Sequence, residues 1–329
     1  MGRNEKAVEL LEQAGCNVVR IAAPLGQTGW TTEMLDVVRD ADAIIGSFAG
    51  LGVTREVLET GTGLRVVTSP VIGTENIDVQ AATELGIVVA FGATPENYLG
   101  VAEAVVMLIA ALRKQFVQKL DAVRNGSWRV SYAGHMARGA TVGLIGLGNI
   151  GRATARRLAG WECRLLAYDP YVDPKVARDH NVQLVDLDTL LRESDVVSIM
   201  VTLTDETRYL IGARELALFK SDAYLINTAR GGSVDEHALF EALEAGRLAG
   251  AAIDTWEHES ATSSSPLRNH PKVIGTAHNV GHSEELYEGH PPAAAENTLR
   301  GLRGEEPLYV RNPQVLPKWH DRIARLRGR

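Results

Sequence analysis

Cysteine is nearly absent from this chain of 329 residues, which contains only Cys16 and Cys163. Two isolated cysteines provide neither the paired spacing of a zinc site nor the framework of a disulfide-stabilised secreted domain. The N-terminus also lacks an apolar signal core. These absences favour a protein of the reducing cytoplasm.

Long apolar runs and an excess of basic residues are lacking as well. The longest apolar helix candidate, Val101–Leu112, carries Glu103 and is too short to span a bilayer. The formal net charge is −7, which argues against nucleic acid or an anionic membrane as a partner. A local basic patch stays open, but the basic tail from Lys318 onward is typical of a solvated chain end.

The chain does have an ordinary globular composition, with 45% hydrophobic and 23% charged residues, and a length that suggests two domains. Apolar runs alternate with segments of helical periodicity, which predicts an α/β fold of doubly wound parallel sheets. The predicted strands are 18–21, 43–46, 64–68, 87–90, 142–145, 165–168, 196–201, 223–227, 250–253 and 273–276. The predicted helices are 5–15, 32–39, 54–60, 78–85, 101–124, 150–158, 187–193, 213–218, 236–245 and 292–302.

The start of the chain is unusual. Domains of this kind normally begin with a strand, but residues 1–6 are too polar to form a buried one. Either the first sheet lacks that strand or the true N-terminus lies upstream of Met1. We favour the second explanation, which mass spectrometry of the native protein would reject by finding no residues before Met1.

A glycine motif is the most informative stretch. Gly146, Gly148 and Gly151 follow a predicted strand and open a predicted helix, and the next strand ends in Asp169. In a nucleotide-binding unit the first glycine allows a tight turn, the second lets a pyrophosphate approach the backbone, and the third lets helix and strand pack closely. The helix N-terminus adds N–H donors and a partial positive charge.

Asp169 indicates which dinucleotide is bound. Its carboxylate can accept hydrogen bonds from both hydroxyls of an adenosine ribose and would repel a 2′-phosphate. No Arg or Lys follows until Lys175, so NAD is favoured over NADP. A glycine triplet alone is a weak signal because glycines also form plain turns, but with the flanking strands and the acid it predicts a Rossmann NAD-binding domain.

Three ionisable residues, Arg230, Glu259 and His278, each follow a different one of the last three predicted strands. Ligands of open parallel sheets bind beside the carboxyl ends of the strands, so these side chains are expected to converge next to the cofactor. Taken alone, Arg230 could be a surface arginine, Glu259 a solvated glutamate, and His278 a histidine with ordinary hydrogen-bond partners. Their shared location is what indicates a catalytic site.

With these motifs the chain resembles the D-isomer-specific 2-hydroxyacid dehydrogenases, and members such as phosphoglycerate dehydrogenase look most similar in style. The resemblance rests on residues 143–151, 225–235, 254–259 and His278, and on Ile72-Gly73, Asn76-Ile77-Asp78, Asn97 and Val101-Ala102-Glu103. It covers nearly all residues from the first helix onward. It implies a flavodoxin-like substrate domain over 1–99 and 292–329, into which the Rossmann domain, 100–291, is inserted.

The resemblance implies an NAD-dependent enzyme that transfers hydride between NAD(H) and a small D-2-hydroxy acid or 2-oxo acid. His278 would be the general base for the C2 hydroxyl, a task that suits its usual pKa near neutrality. Glu259 would hydrogen-bond the imidazole and raise its pKa. Arg230 would pair with the substrate carboxylate and polarise the C2 carbonyl. Domain closure would exclude water.

The resemblance also implies the binding residues. The cofactor would contact Gly146, Gly148, Asn149, Ile150, Gly151, Asp169, Val201, Thr202, Thr207, Thr228, Ala229, Arg230, Asp254, His278 and Gly281. The substrate would contact Ile72, Gly73, Asn97, Arg230 and His278. In the family, the region of Val101–Leu112 helps to form a homodimer, and we expect one here.

Several positions around the expected substrate pocket depart from the family pattern, which makes the substrate an open question. They are Gly100, Ser260, Ala277, Asn279 and His282. His258, His278 and His282 could suggest a metal site, but a histidine-rich loop rim is the better interpretation, and no metal is expected.

Two other functions stay open. A relative with another hydride donor, such as a formate- or phosphite-oxidising dehydrogenase, would differ in substrate, and a substrate panel would discriminate it. A NAD-sensing binding protein, like the corepressor branch of the family, would keep similar residues. The chain shows neither a long disordered extension nor a basic surface that would favour the second alternative.

Overall fold

The computed structural model describes residues 5–21, 27, 29–46, 51–128, 133–260 and 263–327. The chain forms two compact units, the first of residues 1–96 and 283–329 and the second of residues 97–282. The sequence predicted the two domain boundaries between residues 99 and 100 and between residues 291 and 292. The C-terminal boundary falls earlier because one continuous helix, Glu284–Arg303, belongs to the first unit.

The helices and strands are numbered in chain order. The strands are β1 (Ala43–Ile45), β2 (Val66–Ser69), β3 (Val88–Phe91), β4 (Thr141–Ile145), β5 (Arg164–Tyr168), β6 (Gln183–Leu184), β7 (Val196–Ile199), β8 (Tyr224–Asn227), β9 (Gly250–Ile253) and β10 (Val273–Gly275). The α-helices are α1 (Glu5–Gln13), α2 (Thr32–Arg39), α3 (Arg55–Thr60), α4 (Val79–Leu85), α5 (Pro95–Arg113), α6 (Phe116–Arg124), α7 (Asn149–Leu158), α8 (Pro174–Asp179), α9 (Leu187–Glu193), α10 (Ala213–Leu216), α11 (Glu236–Glu244), α12 (Glu284–Arg303) and α13 (Leu316–Arg327).

The first unit is built on a parallel sheet in the order β1-β2-β3. Side chains of a strand alternate between the two faces of its sheet. Val67 and Val89 accordingly pack with α2, α3 and α4, whereas Val66 and Val88 pack with α13 on the other face. This arrangement confirms the predicted parallel sheet with helices on both faces.

The strand predicted over 18–21 is wrong, because these residues form no strand. Val18 packs against the small cluster around Leu11, and Val19 is exposed. Because Val18 is only half-buried and Val19 is exposed, this run lacks the buried apolar side chains of a central strand. Within the described residues no strand precedes β1, and a start upstream of Met1 stays a prediction.

The second unit contains a seven-stranded parallel sheet in the order β10-β9-β8-β7-β4-β5-β6. The chain runs outward from β4 in one direction through β5 and β6, and then in the other direction through β7 to β10. Apolar clusters cover both faces of the sheet. The strand order reverses between β4 and β7, and in such sheets a ligand binds at the carboxyl ends of the strands beside that switch point. The predicted Rossmann fold is confirmed.

The long helix predicted over 101–124 is two helices. α5 begins at Pro95, a residue that favours the first helical position, and the chain breaks at Gln115, whose φ is 49°. At 19 residues, α5 is long and apolar enough to cross a membrane by length and composition, so the prediction that it is too short was wrong. Leu108 and Ile109 are nevertheless buried in the core of the second unit, as in a core helix of a globular domain.

Four further elements differ from the sequence prediction. α12 begins at Glu284 rather than at 292, because Ser283 caps it and the helix continues through Pro291 and Pro292. α8 and β6 were missed because they have only six and two residues. α13 was left in the unassigned remainder, although Trp319 and Ile323 lie four residues apart on its buried side.

Candidate active site

The glycine turn follows β4 in the second unit. Gly146 has a φ of +97°, in the region that favours glycine, and a Cβ at this position would lie 2.8 Å from the carbonyl oxygen of Met200. At Gly151 a Cβ would lie 2.3 Å from the carbonyl oxygen of Gly146. These two glycines are therefore required by the turn and by the packing of α7 on it.

Gly148 differs from its neighbours in the motif. It is the N-cap of α7 with a φ of −71°, which any residue can adopt, and no atom lies within 4 Å of an added Cβ. Among the residues that the structure describes, none requires glycine here. The open space lies at a helix N-terminus, where backbone N–H groups and the helix dipole favour a phosphate. A dinucleotide pyrophosphate fits this cradle.

Asp169 follows β5 and is held against the glycine turn. Its Oδ2 accepts a hydrogen bond of 2.8 Å from the N–H of Leu147, and its Oδ1 accepts bonds of 3.0 and 3.1 Å from the N–H groups of Tyr171 and Val172. The carboxylate is thereby fixed next to the cradle. This is the position that an acid needs in order to bind the ribose of a bound NAD.

The loop after β7 lies on the other side of β4 from Asp169. Val201 and Thr202 begin this loop, and Thr207 closes it, because its hydroxyl donates to the carbonyl oxygen of Thr202 at 2.6 Å and accepts from the N–H of Thr204 at 2.7 Å. Asn149 and Ile150 lie in the first turn of α7. The predicted cofactor-binding residues therefore surround the carboxyl end of β4.

Arg230 lies in the loop after β8, which is shaped by the side chain of Asn227. The Oδ1 of Asn227 accepts from the N–H of Ala229 at 3.1 Å, and its Nδ2 donates to the carbonyl oxygen of Arg230 at 3.0 Å. The hydroxyl of Thr228 is buried and has no hydrogen-bond partner within the described ranges. An unsatisfied buried hydroxyl in this position fits contact with a bound cofactor.

Asp254 organises the turn that carries His278. Its carboxylate is buried and accepts hydrogen bonds from the hydroxyl of Thr276 at 2.7 Å and from the N–H groups of Asn279 and Val280 at 2.9 and 3.1 Å. Its carbonyl oxygen accepts from the N–H of His278 at 2.8 Å. His278 has a φ of 54°, a left-handed conformation that costs on the order of 1–3 kcal/mol in a residue other than glycine. The bonds to Asp254 hold the histidine in it.

His278 and Glu259 form a hydrogen-bonded pair. The Nδ1 atom of His278 lies 2.9 Å from both carboxylate oxygens of Glu259, and each side chain is 44% exposed. The hydrogen bond to Glu259 raises the pKa of His278, against the opposing effects of burial and of Arg230. Burial would raise the pKa of Glu259, but the bond and the charge of His278 prevail and lower it.

Arg230 lies within electrostatic reach of this pair, since its positive charge lowers the pKa values of both Glu259 and His278. The three predicted catalytic residues are therefore brought together at the carboxyl edge of β8, β9 and β10. With Nδ1 bonded to a carboxylate, Nε2 is the imidazole atom available for proton exchange with a substrate.

The remaining predicted residues lie in two places. Ile72 and Gly73 are in the first unit, in the loop after β2, where the hydroxyl of Ser69 donates to the carbonyl oxygen of Gly73 at 2.7 Å. Asn97 is in the first turn of α5. Gly281 packs directly on α5: a Cβ on Gly100 would lie 2.3 Å from its carbonyl oxygen. This close contact leaves no room for a side chain at Gly100 in this structure.

The sequence did not predict the residues whose hydrogen bonds hold the loops of the site in place. Asn227 and Thr276 hold the Arg230 and His278 turns, and Glu236 and Glu257 hydrogen-bond each other's backbone N–H groups. Asn227 is the last residue of β8 and could have been found from its position. The Glu236–Glu257 contact joins residues 21 positions apart, so no local sequence pattern predicts it.

Comparison with known proteins gives concordant matches. The family model for the NAD binding domain of D-isomer specific 2-hydroxyacid dehydrogenases matches residues 106–280. The chain is 36% identical over 318 residues to a D-3-phosphoglycerate dehydrogenase of Methanocaldococcus jannaschii, which covers 96% of this chain and 59% of that protein. It is 37% identical over 294 residues to a glyoxylate reductase of Thermofilum pendens, covering 86% of this chain and 85% of the relative.

A solved structure is similar over most of the chain as well. It is the NAD-dependent formate dehydrogenase of Staphylococcus aureus in complex with NAD, with a TM-score of 0.78 and 30% identity over 90% of this chain and 88% of that one. The relatives thus differ in the substrates that their names state. They also differ in length, since the chain spans only 59% of the phosphoglycerate dehydrogenase.

Proposed function

Because this chain belongs to the D-isomer-specific 2-hydroxyacid dehydrogenase family and carries its NAD-binding domain, we propose that it is an NAD-dependent oxidoreductase that interconverts a small D-2-hydroxy acid and its 2-oxo acid. The observation that carries the proposal is the hydrogen-bonded His278–Glu259 pair with Arg230 beside it. NAD, when bound, accepts or donates the hydride. Gly146, Gly148, Gly151, Asp169 and Thr228 would hold it.

His278 moves the proton. In the oxidative direction its neutral Nε2 takes the proton of the C2 hydroxyl, and in the reductive direction the imidazolium returns it to the C2 oxygen. Glu259 keeps the Nδ1–H tautomer and stabilises the cation that forms. Because Glu259 raises and Arg230 lowers the pKa of His278, the histidine is tuned by two opposite charges.

Arg230 binds the substrate carboxylate and polarises the C2 carbonyl. A guanidinium suits this task because its planar donors can pair with a carboxylate and a neighbouring oxygen together. The backbone of Ile72 and Gly73, with Asn97, is proposed to bind the same carboxylate. On this assignment the first unit is the substrate domain and the second the cofactor domain.

Quaternary structure and location form part of the proposal. Large apolar side chains are exposed along 107–136, at Met107, Phe116, Val123, Trp128 and Met136, and Trp128 is 80% exposed. Protein interfaces bury exposed apolar side chains of this kind, and we propose a homodimer that buries them. A monomer by light scattering at micromolar concentration would contradict this. The proposed location is the cytoplasm.

The decisive experiment is a substrate panel with matched variants. Glyoxylate, pyruvate and 3-phosphohydroxypyruvate are assayed with NADH and NADPH, and formate with NAD. His278→Ala and Arg230→Ala are each expected to lower turnover by about 10²–10⁴-fold, while NADH binding by His278→Ala persists. Normal turnover in either variant would contradict the assignment. Turnover of formate alone would identify the alternative dehydrogenase, and NADH binding without turnover of any substrate would favour a NAD-sensing protein.

A further inference from the structure

Two loops carry the catalytic charges, the Arg230 loop (residues 228–235) after β8 and the Glu259 loop (residues 254–260) after β9. They touch at Gly231, where an added Cβ would lie 2.0 Å from the carbonyl carbon of Trp256 and 2.4 Å from the nitrogen of Glu257. The backbones of the two loops are therefore in direct contact. A displacement of either loop would alter the relation between the guanidinium and the carboxylate.

Glu236, the first residue of α11, reaches from the end of the Arg230 loop to the Glu259 loop. Its Oε1 accepts a hydrogen bond of 2.6 Å from the N–H of Glu257, and its Oε2 accepts one of 2.6 Å from the hydroxyl of Ser265. In return, the N–H of Glu236 donates to Oε1 of Glu257 at 3.2 Å. The two glutamates thus bond each other's backbone, two residues before Glu259.

A glutamate at a helix N-terminus often serves only the helix. Here that task is taken by Asp235, whose side chain accepts from the N–H of Ala238 at 3.0 Å and caps α11. The carboxylate of Glu236 points away from its own helix, to Glu257 and Ser265. Helix capping therefore does not explain its contacts.

The Glu259 loop needs support from outside. The Glu259 side chain is 44% exposed, and besides its bonds to His278 its Oε1 accepts a hydrogen bond of 3.4 Å from the N–H of Trp256. Beyond Glu259 the chain turns within the same loop, through the N–H of Ser260 to the carbonyl oxygen of His258. The charge-assisted bond of 2.6 Å from the N–H of Glu257 to Glu236 ties this loop to α11, and Nε1 of Trp256 ties it to the carbonyl oxygen of Thr276 at 2.7 Å.

We propose that Glu236 is a positioning residue for the catalytic pair: it holds the Glu259 loop in register with Arg230 and so keeps the Glu259 carboxylate on Nδ1 of His278. The inference rests on the proposed function, since it assigns Glu236 to the machinery of the same reaction. Two further charges act on His278: Arg230 lowers its pKa and Asp254 raises it.

The test compares Glu236→Ala, Glu236→Asp and Glu236→Gln with Glu241→Ala, a control at an exposed position of the same helix. Alanine removes both bonds, and aspartate is too short to reach Glu257 while it keeps a favourable charge at the helix start. Glutamine retains an oxygen that can accept from Glu257, so it should restore wild-type behaviour. The readouts are the NMR titration of the His278 imidazole in the NAD-bound protein and the pH profile of reductive turnover.

In the alanine and aspartate variants the titration midpoint of His278 should move to lower pH, because the Glu259 carboxylate no longer stays on Nδ1. Reductive turnover should fall about tenfold, the order expected for loss of a hydrogen bond to a charged group, with the KM for NADH unchanged. An unchanged midpoint in folded Glu236→Asp would overturn the proposal, as would a glutamine variant as impaired as alanine. The NMR readout needs no turnover, so failure of the proposed reaction would be seen separately.

Discussion

Replacement of Gly148 by alanine should weaken cofactor binding without unfolding the protein. Gly148 has a φ that alanine can adopt, and its added Cβ would meet no atom within 4 Å. The expected change in the free energy of unfolding is about 1 kcal/mol or less, the difference between glycine and alanine as a helix N-cap. The methyl group would stand in the space where the pyrophosphate must approach the backbone. The Kd for NADH should therefore rise at least about tenfold, which corresponds to about 1.4 kcal/mol.

Gly151→Ala provides the matched contrast, because its Cβ would lie 2.3 Å from the carbonyl oxygen of Gly146. The turn or α7 must shift, and such overpacking costs about 1–3 kcal/mol of stability. This variant should lose stability before NADH is added.

Both variants are measured by thermal unfolding, followed by circular dichroism, and by NADH fluorescence titration. Wild-type NADH affinity in Gly148→Ala would refute the placement of the pyrophosphate at this helix N-terminus. A Gly151→Ala protein as stable as wild type would refute the close packing of α7 on the turn.

Three other substitutions test separate parts of the structure. Glu259→Gln removes the charge that raises the pKa of His278. Because reductive turnover needs the protonated imidazole, the decline of turnover with rising pH should occur at lower pH than in wild type. Identical pH profiles for the variant and wild type would show that Glu259 does not set the pKa of the catalytic histidine. Arg230→Lys retains the positive charge but not the planar set of donors, and the KM for the 2-oxo acid should rise by about tenfold or more. An unchanged KM would show that the substrate carboxylate does not bind at Arg230. Trp319→Ala empties a fully buried position of the first unit and should cost about 3–5 kcal/mol in denaturant unfolding, whereas His320→Ala on the same helix should be nearly neutral.

The Rossmann unit could be predicted from sequence because its signals are local. Strand 142–145, the three glycines and Asp169 occupy about 30 consecutive residues, and each has one physical role. Their positions in the structure follow directly, since a parallel strand, a turn and a helix can be connected in few ways. The convergence of Arg230, Glu259 and His278 could be predicted for the same reason, because parallel strands place their carboxyl ends at one edge.

The first unit was harder because its elements are short and partly exposed. Residues 18–21 contain an apolar run but no buried strand. The start of α12 was obscured by Pro291 and Pro292, which normally indicate the beginning of a helix rather than its middle. The helix is set instead by the Ser283 cap and by tertiary contacts of residues such as Ala294 and Ala295, which are buried. Tertiary packing overrides local preference in such cases.

The supporting contacts of the site show why residue roles need the structure. Asp254 was expected only from the family pattern and near the nicotinamide, yet its hydrogen bonds define the turn at His278. A left-handed histidine is unfavourable in isolation. His278 is held in this conformation by Asp254, whose carboxylate accepts hydrogen bonds from the N–H groups of Asn279 and Val280 and whose carbonyl oxygen accepts one from the N–H of His278. Substitution at Asp254 would thus change where the base lies as well as any contact with the cofactor. A loss of activity in such a variant would therefore combine displacement of the base with loss of any cofactor contact. Thr276 donates to the same carboxylate oxygen from outside the turn, so substitution of Thr276 would weaken the hold on the Asp254 carboxylate without removing the carboxylate.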